Sequence, residues 1–192
     1  MLKTNILGVV NMKNTLVKII AITSIIIGVL MLSACSYETD NDIANKNISK
    51  LIAAIENEDH VGIKSLFAPN IIAEIDDFDQ NINDLLLYYI GKNGSYGSHG
   101  LGTEYDRDSG IEKRWHNMSY DITTTEDVFR IAIIWYIQDT EDVGNVGIWS
   151  LYILKLSEDS NPDYAYRGDG KWTPGIHVAQ PRSSNNIDLK TE

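Results

Sequence analysis

The sequence has little of several residue types that mark common classes of protein. Its 192 residues include one cysteine and four prolines, and a single cysteine excludes an internal disulfide and a cysteine-rich zinc site. Positive charge is also scarce, because 16 Lys and Arg stand against 27 Asp and Glu, giving a formal net charge of −11. Nucleic-acid affinity comes mainly from Lys and Arg on phosphates, so we expect no nucleic-acid partner. The 43% hydrophobic content predicts a folded chain, and its length fits one domain.

Charge is absent from residues 19–32, an apolar run that follows Lys13 and Lys18. A run of 14 residues is short for a membrane-spanning helix, which needs roughly 20 residues. A positive region followed by a short apolar run is typical of a secretory leader. Met12 also fits a translation start, which would leave a shorter leader.

The residues that follow, Leu32-Ser33-Ala34-Cys35, resemble the lipobox of bacterial lipoproteins. The resemblance implies that residues 1–34 are a signal peptide and that Cys35 becomes the lipidated first residue. Two acyl chains anchor a protein stably, so we expect the membrane as a partner and the extracytoplasmic face of the cell membrane as the location. The alternative is an uncleaved anchor with a chance cysteine. Loss of the three leader lysines takes the formal charge to −14.

Apolar residues at helical spacing predict helices in the first part of the remaining chain. One amphipathic helix is expected over Ile43–Glu58, and a short second helix follows Asp59 as its N-cap. A further turn of helix is expected over 71–75. A third helical stretch is expected over Asp77–Tyr89.

The pattern changes after these helices to glycine-rich and then β-rich sequence. The glycines of residues 91–110 indicate a loop or a hairpin. Strands are expected over Glu112–Thr125, Val128–Asp139 and Val146–Ser157, with a last short strand within 172–178. Helices followed by a meander of long antiparallel strands indicate an α+β fold.

This order of elements resembles the NTF2-like, or cystatin-like cone, superfamily. There, N-terminal helices pack across a curved antiparallel sheet and enclose a pocket. The resemblance places the domain at residues 44–178, with a polar tether at 35–43 and a polar tail at 179–192. The superfamily includes isomerases, dehydratases, hydrolases and binding modules, so it does not specify an activity.

A narrower resemblance rests on six short motifs. They are Tyr120–Thr125, Phe129-Arg130-Ile131, Asp139, Gly147-Ile148-Trp149-Ser150, Gly168-Asp169 and Pro174-Gly175-Ile176. On these motifs the stretch Asn41–Val178 is similar to a family of uncharacterised lipoproteins from Firmicutes.

Two residues are candidate general bases for a pocket of this kind, where burial can shift a pKa. Asp139 ends the second long strand, although an ordinary solvated turn residue is the simpler interpretation. His116 stands at the start of a strand, where a surface or cross-strand position is the simpler interpretation. The four histidines show no metal-ligand spacing, so we expect neither a metal nor a cofactor.

Other side chains are candidates for binding. Arg130 interrupts an apolar run, and a buried guanidinium needs a partner; Asp121 or Glu126 would supply a structural salt bridge. Aromatic side chains of the later strands could instead form core or line a cavity. The candidates are Trp135, Tyr136, Trp149 and Tyr152.

Three functions remain open at this point. The leading expectation is a non-enzymatic binding module whose concave sheet face holds a small molecule or a protein partner. A pocket-based hydrolase or isomerase is the second, and a structural accessory protein that forms a homodimer through an aromatic sheet face is the third.

Overall fold

The computed structural model describes residues 38–160 and 173–179. The predicted signal peptide 1–34, Cys35 and residues 180–192 of the predicted tail lie outside these ranges. Four helices come first: α1 (Asp40–Glu56), α2 (His60–Leu66), α3 (Pro69–Glu74) and α4 (Phe78–Tyr88). Five strands follow: β1 (Asn93–Asp108), β2 (Ile111–Thr124), β3 (Val128–Asp139), β4 (Gly147–Lys155) and β5 (Gly175–Val178). None of the helices in the described ranges is both long enough and apolar enough to cross a membrane.

The four helices form where the periodicity predicts them. Asp59 caps α2 as expected, because its carboxylate Oδ1 accepts a hydrogen bond of 2.8 Å from the backbone N–H of Gly62. Pro69 occupies the first turn of α3, where its missing N–H costs nothing. Helix α1 begins at Asp40 rather than Ile43, so residues 40–43, assigned above to the tether, form its first turn. Asp40 is held there by side chains of the sheet.

The strands make one sheet in the order β1-β2-β3-β4-β5. The first three pairings are antiparallel, and the expected α+β fold, helices followed by an antiparallel meander, is confirmed. β5 differs from the expected meander because it runs parallel to β4, with Leu151 opposite Ile176. Strands β2, β3 and β4 lie close to their predicted ranges.

The glycine-rich stretch is the first strand of a hairpin, so of the two predicted alternatives the hairpin is correct and the loop is wrong. Residues 93–108 form β1, which pairs with β2 along almost its whole length. The two strands are joined through Ser109 and Gly110, whose φ angles are +50° and +89°. Two consecutive positive φ values are typical of the tight turn that matches the twist of a hairpin. The density of glycines left the loop alternative open because β1 is an exposed edge strand. Its stability comes from the hydrogen bonds to β2 rather than from side-chain packing.

The hydrophobic core lies between the helices and one face of the sheet. Alternate residues of β3 face the helices, because Phe129, Ile131 and Ile133 are buried in the same cluster as side chains of α1 and α4. Phe129 also stacks on Tyr89, with ring centroids 5.0 Å apart. Burial of each such side chain contributes about 1.5–3 kcal/mol. We call this side of the sheet the helix face and the opposite side the outer face.

Gly147 allows the start of β4 to approach the chain between α2 and α3. Its φ is +135°, and a β-carbon there would lie 2.6 Å from the backbone nitrogen of Ala68. The same nitrogen donates a 3.0 Å hydrogen bond to the carbonyl of Ile148. A side chain at position 147 would therefore force the helical layer away from the sheet.

We expect Gly147→Ala to lower the free energy of unfolding by roughly 2–4 kcal/mol, from backbone strain and loss of the close contact. Chemical denaturation of the purified chain measures this. Gly97→Ala is the matched control, since a β-carbon at Gly97 meets nothing within 4 Å, and its effect should stay within about 0.5 kcal/mol. Equal stability of the two variants would contradict the role given to Gly147.

Candidate functional site

An open groove of about 470 Å³ lies where the β1–β2 hairpin meets the end of β3. We call it the hairpin groove. It contains three cationic and two acidic side chains together with a tyrosine and an amide. The lining residues are Tyr105, Asp106, Arg107, Glu112, Lys113, Arg114 and Gln138.

The charged walls of the groove are held by pairing across the hairpin. Arg107 contacts Glu112 at 2.9 Å, and the Gln138 amide donates to the same carboxylate at 3.3 Å. The guanidinium of Arg114 lies over the ring of Tyr105, 5.2 Å from its centroid. Tyr105 is 64% exposed. The groove therefore offers an accessible aromatic surface bordered by donors and acceptors of both signs.

Beside the groove, the first residue of α1 is held by two strands. One carboxylate oxygen of Asp40 accepts a 3.0 Å hydrogen bond from the Thr103 hydroxyl of β1. The other accepts a hydrogen bond from Arg114 of β2 and lies 3.7 Å from His116 Nε2. We call these four residues the Asp40 cluster. The cluster fixes the N-terminus of α1 against the helix face and orients Arg114 at the groove.

His116 is the most deeply buried member of this cluster and is 0% exposed. Both ring nitrogens are buried without a hydrogen-bond partner. Burial lowers the pKa of His116 below its ordinary value of 6.5, and the positive charge of Arg114 acts in the same direction, while Asp40 offsets part of the change. The ring is therefore held neutral at neutral pH. His116 is a cross-strand residue opposite Trp135, and it presents no atom to the groove.

Asp139, the other candidate base, is a buried turn residue. Its carboxylate is 1% exposed, which corrects its interpretation as a solvated group. It accepts hydrogen bonds from the backbone N–H of Glu141 at 2.9 Å and of Asp142 at 3.1 Å, and from the amide of Asn145 at 2.9 Å. Burial raises the pKa of Asp139, but these hydrogen bonds outweigh burial and the net pKa lies below 3.8. The carboxylate is committed to shaping the β3–β4 turn.

Arg130 forms the structural salt bridge that the sequence suggested. Its Nε and one terminal nitrogen bond both carboxylate oxygens of Asp121, at 2.7 and 3.0 Å. The other terminal nitrogen contacts Asp159 at 2.6 Å. The hydrogen bonds from Arg130 lower the pKa of Asp121. The predicted salt bridge is confirmed, with Asp121 rather than Glu126 as the partner, and the guanidinium lies away from the hairpin groove.

The four aromatic candidates occupy different environments. Trp135 is buried in the core on the helix face. Tyr136, its neighbour, points to the opposite face and stacks on Trp115 at 5.3 Å. Tyr152 is buried and stacks on His177 at 4.2 Å, and Trp149 packs at the margin of the core. Because successive residues of a strand alternate between faces, Trp135 and Tyr136 do not line one pocket.

Apart from His116, sequence reasoning missed the residues that build the groove and the Asp40 cluster. Asp40 was assigned to the tether, and Tyr105 and Arg107 lay in the expected loop or hairpin. The Ser109-Gly110 dipeptide was the available signal, since a two-residue turn there sets Tyr105 opposite Arg114. No group of three or more His, Cys, Asp or Glu side chains in the described ranges could hold a metal ion.

The buried neutral state of His116 predicts a pH dependence of stability. As pH falls below 6.5, the unfolded chain takes up a proton on this histidine before the folded chain does, so the free energy of unfolding falls. Each unit by which the folded pKa is lowered corresponds to about 1.4 kcal/mol. We expect His116→Leu to flatten the stability curve between pH 7 and pH 5 in denaturation experiments.

His60→Gln is the control, because the His60 side chain is exposed and its replacement should change the free energy of unfolding by no more than about 0.5 kcal/mol at each pH. The carboxylates with lowered pKa, Asp121, Asp127 and Asp139, lose their stabilising charge only at lower pH, below about 4. A wild-type curve that is flat from pH 7 to pH 5 would contradict the assignment of His116.

The domain that carries the groove matches a known protein family. The model of the domain of unknown function DUF5104 matches residues 50–156, from α1 to the first residue after β4. No curated protein is significantly similar to the chain. Because the match covers just over half of the sequence, the protein belongs to the DUF5104 family.

Proposed function

We propose that this protein is a lipid-anchored, extracytoplasmic binding module that holds a small polar molecule in its hairpin groove. The observation that carries the binding role is the groove itself, an open space of about 470 Å³ bordered by Tyr105 and by ion-paired side chains. Ligand sites commonly combine an aromatic or apolar surface with a few fixed polar groups.

The character of the groove favours a ligand with both donors and acceptors. Arg107, Lys113 and Arg114 supply positive charge, while Asp106 and Glu112 supply negative charge. A zwitterion or a polyhydroxylated molecule can exchange hydrogen bonds with such walls. A strongly anionic ligand would be repelled by the two acidic side chains, and a strongly cationic ligand would be repelled by the three basic side chains.

The proposed anchor rests on the sequence before the domain. A positive region and an apolar run precede Leu32-Ser33-Ala34-Cys35, and the first helix begins only five positions after the cysteine. Four intervening residues span at most about 14 Å when fully extended. A lipid on Cys35 would therefore keep the domain close to the bilayer.

We also propose that the domain is an NTF2-like cone. Four helices followed by a bulged, mostly antiparallel sheet support this assignment. The groove lies on the helix side beyond the N-terminus of α1, since Arg114 reaches Asp40 there.

We expect Cys35→Ala to abolish lipidation and to release the protein from the membrane or to alter its location. Membrane fractionation together with metabolic labelling by a radioactive fatty acid measures both effects in the native host. Ser36→Ala is the matched control and should remain labelled and membrane-bound. Unchanged labelling of the Cys35→Ala protein would overturn the anchor.

We expect the full chain, purified from its own cells, to retain a small molecule that native mass spectrometry detects. Tyr105→Ala should lower the bound fraction by about tenfold, because the exposed aromatic surface and its contact with Arg114 are lost. Val143→Ala is the control, since Val143 is exposed at a different turn. Equal retention by the two variants would place the ligand outside the groove.

A further inference from the structure

Among the described residues, β1 is a long edge strand. It runs for 16 residues, and β2 is the only described strand that pairs with it. Within the described ranges, the backbone of residues 94–108 forms no hydrogen bond to any segment except β2. Most of its side chains are exposed. The strand therefore presents a row of unpaired backbone donors and acceptors, which is a template for another strand.

The first part of this edge lacks the features that usually prevent strand addition. Residues 93–103 contain no Lys, Arg, Asp, Glu or Pro, whereas monomeric proteins commonly protect edges with Lys, Pro or short strands. A β-carbon at Gly97 or Gly100 would meet nothing within 4 Å. In a chain of net charge −11, this is a neutral, unobstructed segment at which two acidic copies can approach.

The faces of β1 define one self-complementary register. Tyr96 lies opposite Ile122 and Leu101 lies opposite Met118, and both partners belong to the core. Tyr96 and Leu101 are thus on the same face although they are five positions apart, because the register shifts between Ser98 and Gly100. Residues opposite each other in an antiparallel pair must share a face. The bulge therefore permits a pairing in which Tyr96 of one copy faces Leu101 of the other.

The charges of the second half of β1 fit the same register. With Tyr96 opposite Leu101, the two copies pair over residues 93–104, because β1 begins at Asn93. The only acid in that segment, Glu104, lies opposite Asn93. Asp106 and Asp108 lie beyond the paired segment. A parallel pairing in register would instead set each acid against itself, which destabilises a strand pair.

We propose that β1 pairs antiparallel with β1 of a second copy about a twofold axis between Ser98 and His99. The two five-stranded sheets then join into one continuous sheet, and Gly97 of each copy lies opposite Gly100 of the other. The interface is isologous, as most homodimer interfaces are. It uses the backbone edge, so it leaves the groove walls on the helix side available.

Charge substitutions at the two glycines test the pairing. The double variant Gly97→Asp with Gly100→Asp sets like charges against each other. Its dimer dissociation constant should be at least about tenfold higher than that of the wild type. The double variant Gly97→Asp with Gly100→Lys sets opposite charges against each other and should restore the dimer. Light scattering of the full chain in detergent over a concentration series measures both, and circular dichroism confirms that each variant is folded.

Cysteine cross-linking of the full chain in membranes gives an independent readout. The double variant Gly97→Cys with Gly100→Cys sets a cysteine of each copy opposite a cysteine of the other, where the short Cα–Cα distances of paired strands suit a disulfide. It should form at least about tenfold more disulfide dimer under mild oxidation than Val61→Cys, a control at a highly exposed position of α2. A strictly monomeric chain, equal cross-linking of the two cysteine variants, or failure of the Asp–Lys variant to recover the dimer would overturn the proposal.

Discussion

The rest of the structure depends on the packing of α1 and α4 against one face of the sheet. That contact buries alternate residues of β2, β3 and β4 in a single core. Once Phe129, Ile131 and Ile133 face the helices, their neighbours must face the other way, because side chains alternate along a strand. The burial of one face therefore determines to which side of the sheet each of the remaining side chains points. It separates Trp135, which joins the core, from Tyr136, which leaves it.

The Asp40 cluster shows how a polar contact extends this apolar arrangement. Asp40 stands where the helical layer ends, and it bonds Thr103 of β1 and Arg114 of β2. Beyond that point none of the four described helices supplies a lining residue of the groove. His116 is enclosed under the same contacts, and its neutral ring is the consequence of burial. The Asp40 cluster and the accessible hairpin groove thus lie next to each other along the β1–β2 pair.

Strand β1 illustrates where local sequence signals fail. Six glycines between 91 and 110 are typical of irregular backbone, and each glycine weakens a strand in isolation. The ladder to β2 outweighs that cost, because β2 is anchored by Met118, Tyr120 and Ile122 in the core. The same ladder leaves β1 with little side-chain bulk and an open edge. An exposed strand with this composition is recognisable only when its partner is known.

The sequence by itself determined the elements whose hydrophobic period reflects burial, which are α1, α2 and α4 and the long strands β2 to β4. It also determined the α+β order and the need of Arg130 for an acidic partner. These follow from local periodicity and from the cost of burying an unpaired charge. Only the tertiary structure decided that Asp139 is a buried turn residue, that Asp40 secures the first helix, and that the hairpin forms a groove. The position of Asp40 depends on contacts with Thr103 and Arg114, which are 63 and 74 positions away in the sequence. Sequence spacing carries no signal for such contacts until the strand register brings the residues together.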